Sequence, residues 1–220
     1  MFINPKTNPV DRTSLSVAFT VGLYGAAFGA AGVTAGFSIL QTCLLSLLLF
    51  SGASQFAVVG IMGAGGSAIS AIATATLLGF RNALYGIQMA PILKVTRIKR
   101  ILSAQITIDE STGVATLQEN DSDRRRGFYV TGIGVYVFWN LFTYLGALGA
   151  SAIGDPAAWG LDAAVPAAFC GLVWPRIKKK REFLITAAAI ALALLLTPIA
   201  PAGVPIITTV ILAVIFGWKK

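Results

Sequence analysis

The sequence predicts an all-α polytopic membrane protein, and three observations support this fold class. Hydrophobic residues make up 56% of the 220 residues and charged residues only 12%, whereas about a quarter of a typical soluble domain is charged. The charges are concentrated in short stretches, which leaves long uncharged runs between them. These runs are continuous and do not alternate with polar residues, as the strands of a membrane β-barrel do. An ordinary soluble protein is therefore excluded.

Seven apolar segments are candidate membrane helices, because about 20 helical residues, or about 17 at the low end, cross a bilayer. They are residues 14–35, 38–60, 67–93, 128–153, 159–174, 183–197 and 204–218. The first is too long for a signal-peptide core, so we expect it to be retained. The last three are short, and prolines in or between them predict broken or tilted helices: Pro166, Pro198, Pro201 and Pro205. We interpret residues 1–220 as a single transmembrane domain with a first half (1–93), a cytoplasmic connecting segment (94–127) and a second half (128–220).

Clusters of Lys and Arg predict the orientation, because basic loops stay on the cytoplasmic side. The clusters expected there, the C-terminus included, are Lys94 with Arg97, Lys99 and Arg100; Arg124 to Arg126; Arg176 with Lys178 to Arg181; and Lys219 with Lys220. The acidic connection 155–162 and the uncharged connection 198–205 suit the outside. The basic excess therefore indicates a multi-pass protein of the cytoplasmic (inner) membrane that contacts anionic lipid, with no nucleic acid partner.

The first half does not fit the rule that basic residues stay in the cytoplasm, because three spans before a cytoplasmic loop place Lys6 and Arg12 outside. Either the N-terminus is external, or one of the first three segments is re-entrant. We favour the external N-terminus, because it gives two groups of three spans with opposite orientations, a 3+3 inverted repeat with broken helices. A compositional likeness between residues 12–35 and 126–150 favours the same repeat.

The second segment is interrupted by the polar stretch Ser51-Gly-Ala-Ser-Gln-Phe56. Polar, Gly-rich backbone at membrane depth needs protein or water to satisfy its N–H and C=O groups. One interpretation is a broken helix whose exposed N–H groups bind an anion. Ser51, Gly52, Ser54, Gln55 and Phe56 would then line a substrate cavity. The alternative is an intact helix whose Ser and Gln side chains bond to a neighbouring helix.

Arg81 is the only cation inside an uninterrupted apolar segment, and Asn82 and Tyr85 lie beside it. An intramembrane Arg costs several kcal/mol unless it is paired or hydrated. Its fork of donors fits a carboxylate, which belongs either to a substrate or to an Asp or Glu of the chain. Both interpretations stay open, and in the first Arg81, Asn82 and Tyr85 bind substrate.

Asp109, Glu110 and Asp162 are the candidates for proton or ion coupling, because the chain has no His to carry protons near neutral pH. Asp109 and Glu110 lie in a stretch apolar enough to dip into the membrane, where adjacent carboxylates hold a proton more readily. Alternatively they are a solvated pair neutralised by Lys99 and Arg100. Asp162 precedes an apolar helix closely and could simply cap it.

Catalytic motifs are absent: there is no Walker A sequence, no Gly-x-Ser-x-Gly, no HExxH and no CxxC. Cys43 and Cys170 both lie in apolar segments, where a thiol packs as a small hydrophobe. We therefore expect no enzyme, no cofactor and no metal site. A transporter driven by a gradient, or the membrane subunit of one, is the remaining interpretation.

In order and spacing, four motifs together resemble the AzlC family of branched-chain amino acid exporters. They are Ser51-Gly-Ala-Ser-Gln-Phe56, Arg81-Asn-Ala-Leu-Tyr-Gly86 with Ala90-Pro91, Asp109-Glu110, and Gly160-Leu-Asp-Ala-Ala-Val-Pro-Ala-Ala-Phe169. The resemblance implies a permease that exports valine, leucine, isoleucine or methionine together with a small membrane partner of the AzlD family.

The chain departs from the usual family pattern at the expected site. It has Asn82 where the family usually has His, Ile108 where it has Thr, and Ser111 and Thr112 where an aromatic residue follows the acidic pair. The substrate and the coupling ion could therefore differ from those of the familiar members. The rival class is a channel or scaffold subunit without carrier activity, which would not show trans-stimulation.

Overall fold

The computed structural model describes residues 8–153 and 177–218 and the single positions 167, 170, 171, 173 and 174. Regular structure in these residues is helical throughout, which confirms the all-α prediction for this part of the chain. The helices with described bounds are α1 (Pro9–Gly22), α2 (Tyr24–Thr34), α3 (Ile39–Leu48), α4 (Gly52–Gly63), α5 (Ala68–Leu93), α6 (Arg97–Gln105), α7 (Asp109–Thr116), α8 (Asp121–Ala152), α9 (Lys180–Leu196) and α10 (Val204–Trp218).

Two helical runs of the described residues are long and apolar enough to cross a membrane. The first is Pro9–Thr34, which joins α1 and α2 across Leu23, and the second is α8. They contain 26 and 32 residues with mean hydropathies of 1.5 and 1.4. The seven predicted spans are therefore not all confirmed as membrane-crossing helices. The predicted segment 38–60, for example, consists of two shorter helices, Ile39–Leu48 and Gly52–Gly63.

The runs α1–α2 and α8 lie side by side and point in the same direction. Near their first residues, Arg126 donates two hydrogen bonds to the Asp11 carboxylate, at 2.6 and 2.7 Å. Further along, Gly22 lies against Phe138. The start of α1 and the residues Arg124 to Arg126 therefore share one end of the bundle, which we call the basic end; the opposite end is the distal end. The prediction that the N-terminus lies across the membrane from these arginines is wrong.

Glycines bring the backbones of α2 and α8 into direct contact. A Cβ on Gly29 would overlap the carbonyl oxygen of Thr143, and a Cβ on Gly146 would overlap that of Ala26. Small residues stabilise helix pairs in lipid in this way, because close approach increases van der Waals contact. The glycines of the first predicted span therefore have a packing role.

The predicted second span is not a single helix, and its first arm, α3, runs from the distal end towards the middle of the bundle. Ser38 caps the start of α3. Thr42 then lies against Gly32 of α2, and Ser46 lies 3.4 Å from Thr143 of α8 through their hydroxyl oxygens. Because α2 ends at the distal end, this order of contacts shows that α3 descends from there.

The second arm, α4, returns to the distal end. After a break at residues 49–51, Phe56 packs edge-on against Phe28, with 5.6 Å between ring centroids. Gly63 then lies beside Ala35 at the distal end. The interruption predicted at Ser51 is confirmed as a break between helices. We call α3 and α4 the first hairpin; its return to the distal end matches the predicted alternative of a re-entrant segment.

Helix α5 runs from the distal end to the basic end. Near its start the carbonyl of Ala75 accepts a hydrogen bond from Ser54 Oγ, at 2.8 Å. Near its end the carbonyl of Ile92 accepts one from Arg125 Nε, at 2.7 Å. α5 therefore runs opposite to α1–α2 and α8.

Helices α6 and α7 form a second hairpin, which enters from the basic end. α6 rises to Ile106, whose carbonyl and side chain lie against Gly132 in the first half of α8. After the turn at residues 106–108, α7 descends until Val114 lies beside Gly127. The connecting segment 94–127 therefore contributes a hairpin to the bundle and is not confined to its surface.

These elements form two units of opposite orientation, residues 9–63 and 68–116. Each unit has one helical run through the bundle, followed by a hairpin that enters from the end where the run finishes. The predicted pairing of residues 12–35 with 126–150 in a 3+3 inverted repeat is wrong, because those two segments run parallel. Residues 9–63 and 68–116, and not the predicted halves, are the segments that run in opposite orientations through the bundle.

The last two helices, α9 and α10, form a pair that also follows the axis of the bundle. Gly203, in their connection, lies against Ser70 at the distal end. Arg181 of α9 donates to the carbonyl of Phe216 near the end of α10. The described basic clusters therefore all lie at the basic end. The predicted fifth span lies mostly outside the described residues.

We expect Gly29→Ala and Gly146→Ala to lower stability by roughly 1–3 kcal/mol each, because the added methyl group meets backbone atoms that cannot rotate away. Thermal unfolding of the purified protein in detergent measures the change. Gly149→Ala is the matched control, since a Cβ at Gly149 meets no atom within 4 Å. Equal melting temperatures for all three variants would contradict the close packing of α2 on α8.

Candidate functional site

The tips of the two hairpins meet in the middle of the bundle. Gln105 Nε2 donates to the carbonyl oxygens of Leu47 and Leu48, at 3.0 and 3.3 Å. A cavity of about 280 Å³ lies between the tips. Pockets for small molecules start at roughly 300 Å³, so the cavity suits a ligand of amino acid size.

The cavity is mostly apolar and carries a few polar and charged groups. The apolar side chains are Val21, Phe50, Ala53, Phe56, Leu78, Ile108, Val135, Trp139 and Val173, and the other lining residues are Tyr24, Ser51, Gly52, Arg81, Asn82, Asp109 and Glu110. Most of the site residues predicted from the sequence therefore line one cavity. Ser54, Gln55 and Tyr85 do not line it, and Asp162 lies outside the described residues.

The N-terminus of α4 opens onto this cavity. Ser51 is the N-cap residue in an extended conformation, and its side chain makes no capping bond. The first N–H groups of a helix have no partner inside the helix and carry a partial positive charge. Ser51 is only 6% exposed, and its Oγ has no hydrogen-bond partner among the described residues. The site therefore offers a buried hydroxyl without a partner among the described residues, next to the first N–H groups of a helix that has no side-chain cap.

The N-terminus of α7 lies across the cavity, and groups of the chain already compensate its partial positive charge. Ser111 Oγ accepts a hydrogen bond from the N–H of Ile108, at 3.1 Å, and donates to the carbonyl of Ile106, at 2.7 Å. Asp109 and Glu110 occupy the first turn, where carboxylates are stabilised by the helix dipole. The α4 N-terminus has no acid in its first turn, so the two helix starts differ in charge.

Arg81 is paired with Asp109. Its Nη1 lies 3.2 Å from Asp109 Oδ2, and the two side chains are 32% and 21% exposed. Arg81 Nε and Asn82 Oδ1 are buried without a hydrogen-bond partner among the described residues. The predicted alternative in which Arg81 pairs with an acid of the chain is therefore present, and this pair connects the tip of the second hairpin to α5.

Gln55 and Ser54 hold the framework instead of lining the cavity. The Gln55 side chain donates to the carbonyls of Ser46 and Leu49, at 3.3 and 2.6 Å, and accepts from Trp139 Nε1 at 2.9 Å. Ser54 Oγ donates to α5. In this structure the two residues have a positioning role, and their binding role stays a prediction.

Sequence reasoning missed several residues of the cavity wall, above all Trp139, Phe50 and Ile108. Trp139 is nearly buried and fixed by its bond to Gln55. The one available signal was its indole N–H, which needs a partner when a Trp is buried in an apolar helix. Within the described residues no group of three His, Cys, Asp or Glu side chains is placed to hold a metal ion.

We expect Arg81→Ala to lower stability by about 1–3 kcal/mol, because it removes the cation that pairs with Asp109. The loss of stability would be larger if the pair were fully buried. Adding Asp109→Asn should recover part of the loss. Thermal unfolding in detergent measures both. Asp121→Asn is the control, since its pair with Arg124 is more exposed and worth less. Wild-type stability of Arg81→Ala would show that the pair is unimportant for the fold.

Comparisons with known proteins place this architecture among membrane proteins. The sequence model of the AzlC protein family matches residues 16–153. An "Uncharacterized membrane protein" of Archaeoglobus fulgidus is 31% identical over 199 residues, which cover 89% of this chain and 84% of the relative. The "Inner membrane protein YgaZ" of Escherichia coli is 29% identical over 190 residues, which cover 83% and 75% of the two chains. No solved structure matches. This chain is a membrane protein that belongs to the AzlC family.

Proposed function

We propose that this protein is a permease that exports branched-chain or other aliphatic amino acids, such as valine, leucine, isoleucine and methionine. The observation that carries the proposal is the cavity between the tips of two hairpins that enter from opposite ends of the bundle. A binding site at the midplane between inverted elements is the usual arrangement of secondary transporters.

The chemistry of the cavity fits a zwitterion with an aliphatic side chain. Such a ligand needs hydrogen-bond donors for its carboxylate, acceptors for its ammonium group and apolar contacts for the rest. The α4 N-terminus with Ser51 supplies donors, Asp109 and Glu110 supply acceptors, and Phe56 and Trp139 are part of the apolar wall. Each requirement is met within one cavity.

The two hairpins supply two gates for the export cycle. In a carrier, the tip on one side withdraws while the other tip keeps the site closed. Asp109 and Glu110 lie at the tip of the second hairpin and are the proposed proton or ion coupling groups, together with Asp162. A gradient of protons or another ion would then drive export.

The basic end is the proposed cytoplasmic side of the inner membrane, because Lys and Arg are retained in the cytoplasm. Both chain termini would then be cytoplasmic. The exposed apolar face of α5 would contact lipid or a small AzlD-like membrane subunit; its side chains include Ile69, Ile72, Phe80, Leu84 and Ile87. The small subunit is part of the proposal on the strength of the family alone.

Counterflow tests carrier activity. Proteoliposomes that contain this chain and a small AzlD-like subunit are loaded with unlabelled leucine, and uptake of labelled leucine is measured. We expect transient accumulation that valine, isoleucine and methionine suppress when added outside. Accumulation independent of internal leucine would indicate a channel, and no uptake with or without the small subunit would indicate a scaffold.

Gly52→Leu should abolish counterflow and leave insertion into the membrane intact. Gly52 lines the cavity, and a Cβ there would lie 3.0 Å from the Trp139 ring, so a leucine side chain fills ligand space. Gly86→Leu is the control, because a Cβ at Gly86 meets no atom within 4 Å. Wild-type counterflow by well-expressed Gly52→Leu would remove the first hairpin from the pathway.

A further inference from the structure

We infer that the amino acid binds with its carboxylate on the α4 N-terminus and Ser51, and with its ammonium group facing Asp109 and Glu110 of α7. This inference rests on the proposed function and adds the orientation of the substrate. It assigns Arg81 to holding Asp109, not to binding the substrate carboxylate.

The difference between the two helix starts is the first argument. Both open onto the same cavity, and both concentrate partial positive charge there. At α7 the charge is met by Asp109 and Glu110, and the backbone N–H of Ile108 is bound by Ser111. At α4 no acid and no side-chain cap is present. A ligand anion therefore gains more at α4.

Ser51 is the second, independent argument. Its hydroxyl is buried, lines the cavity and lacks a hydrogen-bond partner among the described residues. A buried polar group without a partner is destabilising, and a carboxylate oxygen supplies the missing acceptor. The same oxygen can accept from the N–H groups of the first turn of α4, as anions do at helix N-termini.

The ion pair of Arg81 is the third argument. If the substrate carboxylate displaced Asp109 from Arg81, the Asp109 carboxylate would lose this partner in a mostly apolar cavity, which is costly. With the carboxylate on α4, the Arg81–Asp109 pair stays intact. The carboxylates of Asp109 and Glu110, which line the same cavity, then face the ammonium group.

Ser51→Asp and Ser51→Asn provide the test, because the two side chains have nearly equal size and both can cap α4. Only Asp adds a negative charge where the carboxylate binds. The probes are leucine, which is a zwitterion, and leucinamide, which keeps the ammonium group and lacks the carboxylate. Binding is measured by thermal shift and by inhibition of labelled-leucine counterflow.

We expect Ser51→Asp to weaken leucine binding about tenfold or more and to leave leucinamide binding unchanged or stronger. Ser51→Asn should weaken leucine binding much less, because its amide N–H can still donate a hydrogen bond to the carboxylate. Ser67→Asp is the control: Ser67 already caps α5 through its side chain and does not line the cavity, so leucine binding should not change. Should Ser51→Asp not fold, Ser51→Ala serves instead and should weaken leucine more than leucinamide.

The outcomes separate this inference from the proposed function. Wild-type leucine binding by folded Ser51→Asp, or equal losses for leucine and leucinamide, overturns the orientation and leaves the permease proposal standing. Failure of the wild-type protein to bind or exchange leucine overturns the permease proposal, and the orientation with it.

Discussion

The break between α3 and α4 is stable only if hydrogen-bond donors reach its backbone carbonyl groups in the middle of the bundle. A helix end leaves its last carbonyls unpaired, and in an apolar environment each unpaired group is costly. Here two Gln side chains and one Tyr supply the donors. Gln55 binds the carbonyls of Ser46 and Leu49, Gln105 binds those of Leu47 and Leu48, and Tyr136 binds that of Leu47 as well.

This requirement also shapes the cavity. Gln55 satisfies the break with its amide N–H groups and uses its carbonyl oxygen to hold Trp139. The Trp139 ring then lies against Gly52, whose missing side chain leaves the N-terminus of α4 open. The side chain that stabilises the break therefore also fixes a wall of the cavity, which is why Gln55 need not touch a ligand to matter for binding.

Residue types predict where polar groups inside the bundle need partners, but they do not predict in which direction each segment runs. The break at Ser51 and the pairing of Arg81 with an acid follow from the cost of unsatisfied polar groups in lipid, which residue types reveal. Hydropathy does not distinguish a 23-residue segment (38–60) that crosses a bilayer from one that turns back halfway. The entry of the second hairpin into the bundle is not predicted from the sequence, because basic residues occupy the start of α6. For Ser54 and Gln55 the residue type alone does not separate a framework role from a binding role, because both roles need polar groups at membrane depth.

The packing further indicates which parts of the proposed carrier can move. Where glycines bring α2 against α8, backbone meets backbone, so we expect the pair to move as one rigid body. The tip of the second hairpin also packs against Gly132 of α8, but polar contacts hold it as well: Gln105 binds the first hairpin, and Asp109 pairs with Arg81 of α5. Withdrawal of this tip separates two opposite charges unless Asp109 is protonated or another cation replaces Arg81. Under the proposed function, Asp109 is therefore the carboxylate through which a proton or ion gradient would act on the opening of the basic end, because its pair with Arg81 holds the tip to α5.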